Sequence, residues 1–268
     1  MRPAIINIMD GAARKAARSL VHDFNEVEHL QISRKGPADF VSEADRRAEN
    51  IIQRELSAAY PQFSMIMEEA GHIGDAKAED QWIVDPLDGT TNFLHAIPHF
   101  SISIAHVHKG EILEGIILDP LREEFFWAAK GQGAYLNNTR LRVSARSKLS
   151  ESILATGIPF LGREGKEEMM AALPLVMEHT AGIRRFGSAA LDLAFVAAGR
   201  YEGFWEFGLS SWDVAAGILI VREAGGMLSD IYCRIDPLRG GSILATNSSL
   251  YNPIKHLLQQ GLKPRRQS

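Results

Sequence analysis

Apolar residues recur at helical spacing over residues 3–26, where Ile5, Ile8, Ala12, Ala16 and Leu20 fall on one side. The same spacing over 43–59 puts Ala44, Ala48, Ile51, Ile52 and Leu56 on one face. Tyr60-Pro61 ends that helix, because a residue before proline is pushed out of the α region. Residues 63–67 and Trp82-Ile83-Val84 are apolar runs of strand length, and 71–80 between them is polar and reads as a loop. Strands are predicted near 100–108, 112–118 and 124–128, with Lys109-Gly110 as a turn and 131–137 as a hairpin tail. Then follow a strand at 152–156 and helices over 164–179, 191–198 and 213–224, the last two closed by Gly199 and Gly225-Gly226. Strands at 228–231 and 242–246, a helix over 250–260 and a frayed tail at 263–268 complete the chain. Hairpins and crossovers are mixed, which predicts an α/β or α+β fold. No linker or internal repeat divides the pattern, so 1–268 reads as one catalytic unit.

Composition narrows the function classes. A net charge of −4 over 268 residues argues against a dedicated nucleic-acid binder. Arg140, Arg142, Arg146 and Lys148, and separately Arg184-Arg185, are basic clusters that read as solvated faces on such a chain. The single cysteine, Cys233, excludes an internal disulfide framework, suits a reducing compartment and reads as an ordinary semi-buried thiol. Asp10, Arg14, Lys15 and Arg18 interrupt any signal-peptide core, and no apolar run has the length of a membrane span. The expectation is a soluble, cytoplasmic protein.

The chemistry concentrates in 85–93, Asp-Pro-Leu-Asp-Gly-Thr-Thr-Asn-Phe, directly behind the Trp82-Ile83-Val84 run. Pro86 holds Asp85 extended, and Gly89 admits a close neighbour to the backbone. Thr90 and Thr91 are candidate caps of a short helix whose free N–H groups suit an anion. Asp-Pro and Asp-Gly are also common turn formers, so this stretch alone is equally a turn. Two carboxylates beside an anion pocket are what metal-assisted phosphate-ester hydrolysis needs. The histidines His95, His99, His106 and His108 have no metal-ligand spacing and read as packing or surface residues.

Trp82 to Phe93 resembles the first signature of the inositol monophosphatase family. Trp212-Asp213-Val214-Ala215-Ala216-Gly217 with Glu223-Ala224-Gly225-Gly226 resembles the second. Glu68-Glu69 is similar to the family's acidic pair, and Asp39 to Asp45 to its D-x-V-T-x-x-D segment. The four segments come in the family's order and spacing, and the whole is most similar to bacterial members. Departures are Ala70, where Ser or Thr is usual, and Arg34-Lys35-Gly36, where either Arg34 or Lys35 fills the usual lysine position.

The resemblance implies a layered αβαβα sandwich shared with the fructose-1,6-bisphosphatases. It implies metal ligation by Glu68, Asp85, the Leu87 carbonyl, Asp88 and Asp213. These all-oxygen donors favour two or three Mg²⁺, with Mn²⁺ as a substitute. Asp213 opens the predicted helix, where an aspartate is first of all an N-cap; cap and ligand are compatible roles. Glu68 and Glu69, on what reads as an extended segment, point to opposite sides, so Glu68 takes the metal role and Glu69 supports it. Asp45, Thr90 and Glu68 become the catalytic group, with Asp45 beside the Thr90 hydroxyl; otherwise Asp45 is a surface residue of an amphipathic helix. Gly187, Ser188, Ala189 and Glu206, with Glu68, Asp88, Gly89, Thr90 and Asp213, become the substrate contacts. Glu206, in an aromatic run, is otherwise an outward strand residue. The implied substrates are myo-inositol monophosphates, with lithium sensitivity and a homodimer. Relatives in the superfamily act on fructose 1,6-bisphosphate, NADP, histidinol phosphate or 3′-phosphoadenosine 5′-phosphate. The Thr90-Thr91-Asn92-Phe93 ending favours the inositol branch. A partnership with the transcription machinery, ascribed to some bacterial members, is the alternative of another class and is unsupported by the net charge.

Overall fold

The computed structural model describes residues 2–26, 32–36, 39–159, 165–232, 236–239 and 241–262. Cys233, the 263–268 tail and the side chains of Arg34 and Lys35 lie outside the described residues.

Period-two strands sort the core into three apolar interfaces. In β5 (Asp80–Asp88), Trp82 and Val84 join one cluster while Ile83 joins another. In β8 (Glu124–Ala129), Phe125 and Trp127 alternate with Phe126 and Ala128 in the same way. The first cluster is closed by α1 (Ala4–Asn25) and α2 (Glu43–Ala59), through Ile6, Met9, Leu20, Ala48, Ile52 and Leu56. The second is filled by α5 (Ala189–Ala197) and α6 (Ser211–Glu223). Across it stands a second sheet, in which Phe204 of β13 (Gly203–Leu209) and Ile243 and Ala245 of β15 (Gly241–Thr246) face inward. Trp205 and Leu244 face the other way, against α4 (Lys166–His179) and α7 (Tyr251–Gly261). The layers therefore run helices, sheet, helices, sheet, helices, the sandwich expected.

The larger sheet holds eight strands. Its neighbours across the middle are β3 (Ser64–Met67), β5, β6 (Ser101–His108), β7 (Glu111–Asp119) and β8, with β4 (Gly71–Ile73) at one edge. β4 corrects the expected loop over 71–80: its first residues pair antiparallel with β3. The smaller sheet adds β11 (Ile153–Thr156), β12 (Gly182–Arg184) and β14 (Met227–Ser229) to β13 and β15. A ribbon of β1 (Ile32–Gly36) and β2 (Asp39–Ser42) leads into α2.

One irregularity positions the chemistry. Asp85 and Asp88 are three apart, so in a regular strand they would face opposite sides. Their partners on β6, Ser103 and Ser101, are two apart. β5 therefore carries one extra residue at Pro86-Leu87, a bulge, and both carboxylates face the middle helical layer. A bulge is also where a sheet tolerates a proline.

Candidate active site

Parallel pairing of β3 with β5 sets Met67 beside Val84, and the Glu68 N–H donates to the Val84 carbonyl at 3.3 Å. Glu68 is thereby abreast of Asp85, close enough for its charge to raise the Asp85 pKa. Contrary to the extended segment expected, Glu68 and Glu69 lie in the turn between β3 and β4. The Glu69 N–H donates to Glu49 Oε2 of α2 at 2.9 Å.

After the bulge the chain turns through Gly89, at φ 100°, into the short helix α3 (Thr90–Leu94). Gly89 is its N-cap, so Thr90 and Thr91 are helical residues rather than caps. A Cβ at Gly89 would lie 3.1 Å from the His99 carbonyl and 3.3 Å from that of Gly187. The Thr90 hydroxyl is free for other partners: it lies 3.0 Å from Asp45 Oδ1 and 3.1 Å from the Leu87 carbonyl, both acceptors for its one proton. Asp45 is fully buried, which removes the surface-residue reading.

Asp88 meets the start of α5. Its carboxylate accepts from the Ser188 hydroxyl at 2.6 Å and from the N–H groups of Ala190 at 2.8 Å and Ala189 at 3.3 Å. Asp213 is the third residue inside α6, not its N-cap. Ser210 is the cap, and its N–H donates to Asp213 Oδ2 at 2.6 Å in a reciprocal capping box. The helix starts two residues before the expected 213, because spacing alone locates a helix end only to within about a turn.

Glu68, Asp85, Leu87, Asp88, Gly89, Thr90, Gly187, Ala189, Glu206 and Asp213 line one cleft, of about 850 Å³ counted out to its mouth. Ser188 is buried behind it, at the cap of α5. Glu206, from the second sheet, closes the far side. Its carboxylate lies over Gly157: a Cβ there would fall 1.9 Å from it.

The electrostatics of the cleft are unfavourable for bare carboxylates. Burial pushes Asp85 well above the usual carboxylate range, and the charges of Glu68, Asp88 and Asp213 push it further. Asp88 is raised to about 7, by burial first, against the Ser188 hydroxyl, with the Asp213 charge adding to the rise. Among the described residues no three such side chains stand ready at metal-ligand spacing. Asp85 accepts from the Leu87 N–H, Asp88 is turned to α5, and Asp213 to Ser210. The donor set is nevertheless all hard oxygen, the kind that suits Mg²⁺ or Mn²⁺, and a bound cation would relieve the mutual repulsion that protonation relieves without it.

Several residues of this region escaped the sequence reading. Asn92 donates to the carbonyls of His99 and Phe186, tying α3 to the segment before α5. Arg185, read from the sequence as part of a solvated basic face, instead lines the cleft as a cation among acids. Asp192 is buried on α5, and burial, then the charges of Glu206 and Asp88, raise it well above its ordinary value. Glu49 and Gly157 belong here too. Asn92 lies in the first signature, which says nothing of its bonding partners; of the others, the one available signal is the acidic Glu49 a turn after Asp45 on an otherwise apolar helix face. Of the basic cluster, Arg146 is paired with buried Glu202 at 3.0 Å and Lys148 with Glu151 at 2.9 Å.

A layered αβαβα fold with four carboxylates and a threonine lining one cleft at the end of a bulged strand is the architecture of a phosphatase. The chain belongs to the Inositol monophosphatase family, whose sequence profile matches residues 3–263. It is 49% identical over 264 residues to an inositol-1-monophosphatase of Mesorhizobium japonicum, covering 98% of this chain and 99% of that one. It is 43% identical over 268 residues to the Nus factor SuhB of Pseudomonas aeruginosa, with 98% of each covered. The crystal structure of the extragenic suppressor protein suhB from Bartonella henselae superposes with a TM-score of 0.93 at 50% identity, covering 97% of this chain and all of that one. The protein is accordingly a phosphatase acting on a small phosphate ester. No described helix is long and apolar enough to cross a membrane.

Proposed function

We propose that this cleft hydrolyses myo-inositol monophosphates to inositol and phosphate with Mg²⁺, two or three ions, or Mn²⁺ in its place. The observation that carries the reading is the set of four carboxylates lining one cleft, two of them with raised pKa, beside the Thr90–Asp45 pair. Glu68, Asp85, Asp88, Asp213 and the Leu87 carbonyl would hold the cations. When bound, they neutralise the carboxylates and the phosphoryl charge and make water acidic enough to attack at neutral pH. Asp45 orients the Thr90 hydroxyl, and Thr90 with Glu68 orients the attacking water and takes its proton. Glu206 accepts hydrogen bonds from the hydroxyls of the leaving polyol, while Gly187 and Ala189 let its ring approach the backbone. Because Glu206 comes from the second sheet and Asp88 from the first, the reading treats the chain as one catalytic unit. Relatives named inositol-1-monophosphatase support the substrate class.

The test is phosphate release over a panel of phosphomonoesters, with Mg²⁺, after chelation, and with added Li⁺. Turnover of myo-inositol 1-phosphate is expected to stop on chelation, return with Mg²⁺ and be inhibited by Li⁺. Full activity in EDTA would sink the metal mechanism, and a preference for a nucleotide or fructose 1,6-bisphosphate would move the substrate. A second reading, a partner role in transcription apart from catalysis, is supported by the Nus factor name of relatives at 43–44% identity. An Asp88→Asn variant that is inactive yet keeps the cellular phenotype would favour it.

A further inference from the structure

α2 carries two buried carboxylates one turn apart, on a face otherwise made of Ala44, Ala48, Ile52 and Leu56. Burying a carboxylate is costly unless it is hydrogen-bonded, so each needs a partner worth the desolvation. Asp45 has the Thr90 hydroxyl. Glu49, 5% exposed, accepts from the Glu69 N–H at 2.9 Å.

That N–H belongs to the peptide joining Glu68 to Glu69. The peptide is planar, so fixing its N–H fixes the plane that leaves the Glu68 Cα. The plane entering Glu68 is fixed as well, by its N–H to the Val84 carbonyl on β5. With both flanking planes held, the Cα–Cβ direction of Glu68 is set from two sides, by β5 and by α2. The turn is closed by the pairing of Met67 with Gly71, and Ala70 and Gly71 are open to solvent, so the Glu49 carboxylate is the contact from α2 that holds the outgoing plane. One face of one helix thus grips both the segment with Thr90 and the segment with Glu68.

We propose that Glu49 is a positioning residue that aims Glu68 into the cation site through the Glu69 backbone. The proposal rests on the metal role given to Glu68 above. Its action requires an acceptor at the reach of a glutamate, not a negative charge as such. Glu49→Gln keeps both reach and an acceptor oxygen. Glu49→Asp keeps the charge but falls one methylene short, and Glu49→Ala removes the acceptor.

The experiment titrates Mn²⁺ into metal-stripped wild type and the three variants by calorimetry, with metal-stripped melting temperatures measured in parallel. Glu49→Gln is expected to bind Mn²⁺ within about twofold of wild type. Glu49→Asp and Glu49→Ala are expected to bind about tenfold or more weakly, the loss usual for a residue that orients a ligand. Should Glu49→Ala fail to fold, the Gln and Asp variants still decide. Unchanged Mn²⁺ affinity in Glu49→Asp, even with a lower melting temperature, assigns Glu49 to the fold alone and overturns the proposal. A Gln variant as weak as the Asp variant overturns it too, because the charge would then matter. A wild type that binds no Mn²⁺ removes the metal site itself, an outcome distinct from a binding wild type whose variants bind equally.

Discussion

The Thr90 hydroxyl stands 3.0 Å from Asp45 Oδ1, joining positions 45 residues apart on two elements of opposite origin, the first turn of α3 and the buried face of α2. Thr90→Ala removes the group proposed to orient water, and kcat is expected to fall about a hundredfold or more with Mg²⁺ affinity spared. Thr90→Ser, which keeps the hydroxyl, restores most of it. The same hydroxyl lies 3.1 Å from the Leu87 carbonyl. If kcat recovers at high Mg²⁺, Thr90 supports a ligand carbonyl instead.

Asp213 and Ser210 separate catalysis from capping. Asp213→Asn keeps an oxygen for the Ser210 N–H but loses the charge, so kcat should drop by several kcal/mol of barrier, roughly a hundred- to a thousandfold, with the fold intact. Ser210→Ala should cost about 1 kcal/mol of stability and leave kcat alone. Equal kinetics in wild type and Asp213→Asn at saturating Mg²⁺ would reduce Asp213 to a helix-start residue.

Metal and pH are linked through Asp88, raised to about 7 chiefly by burial and in part by Asp213. A carboxyl whose folded pKa is raised contributes stability present below its unfolded value and lost as pH rises through the folded one. Metal-free protein should therefore melt lower at about pH 8 than at about pH 6, and Mg²⁺ should raise the melting temperature more at the higher pH. Scanning calorimetry at both values checks this; identical Mg²⁺ shifts would contradict it.

Gly157→Ala tests the role proposed for Glu206 without substituting it. The added methyl would fall 1.9 Å from the Glu206 carboxylate, the end of a flexible side chain that can swing away. Loss of charge-assisted hydrogen bonds, about 1.5–3 kcal/mol, should lower kcat/KM for myo-inositol 1-phosphate about ten- to a hundredfold. Glycerol 2-phosphate should lose much less, and Glu206→Gln should show the same ratio. Equal losses on both substrates in both variants would assign Glu206 to the fold or the cation site.

His106 gives an independent pH signature, remote from the cleft. Burial pushes its pKa down, but Glu114 at 2.7 Å and Asp80 at 2.9 Å, one on each ring nitrogen, leave it raised overall. Its stabilisation is full below the ordinary value near 6.5 and is lost as pH rises through the raised one. At saturating Mg²⁺, wild type should lose melting temperature on the alkaline side, and His106→Gln should flatten that slope. A slope unchanged in the variant would place its origin elsewhere.

The sequence by itself determined most of the helices, the longer strands and the acidic motifs. Periods of 3.6 and two depend on neighbouring residues, so α2 was legible to its end residues and β6, β7 and β8 to within one, while β5 runs four residues past its apolar run and β1, β2, β4 and β12 were not read as strands. The Asp-Pro-Leu-Asp-Gly-Thr-Thr run and the Trp-Asp pair, with Glu68-Glu69 and the segment ending at Asp45, carried the family resemblance, and that resemblance implied the Thr90–Asp45 contact found in the structure. Tertiary structure decided what those residues face. A one-residue bulge, visible only in the pairing of β5 with β6, turned Asp85 and Asp88 to the same side. The meeting of Asp88 with α5, 100 residues on, follows from stacking a helical layer between two sheets. Glu49, Gly157 and Asp192 acquire meaning only there, because each acts across layers on a partner that no local spacing encodes.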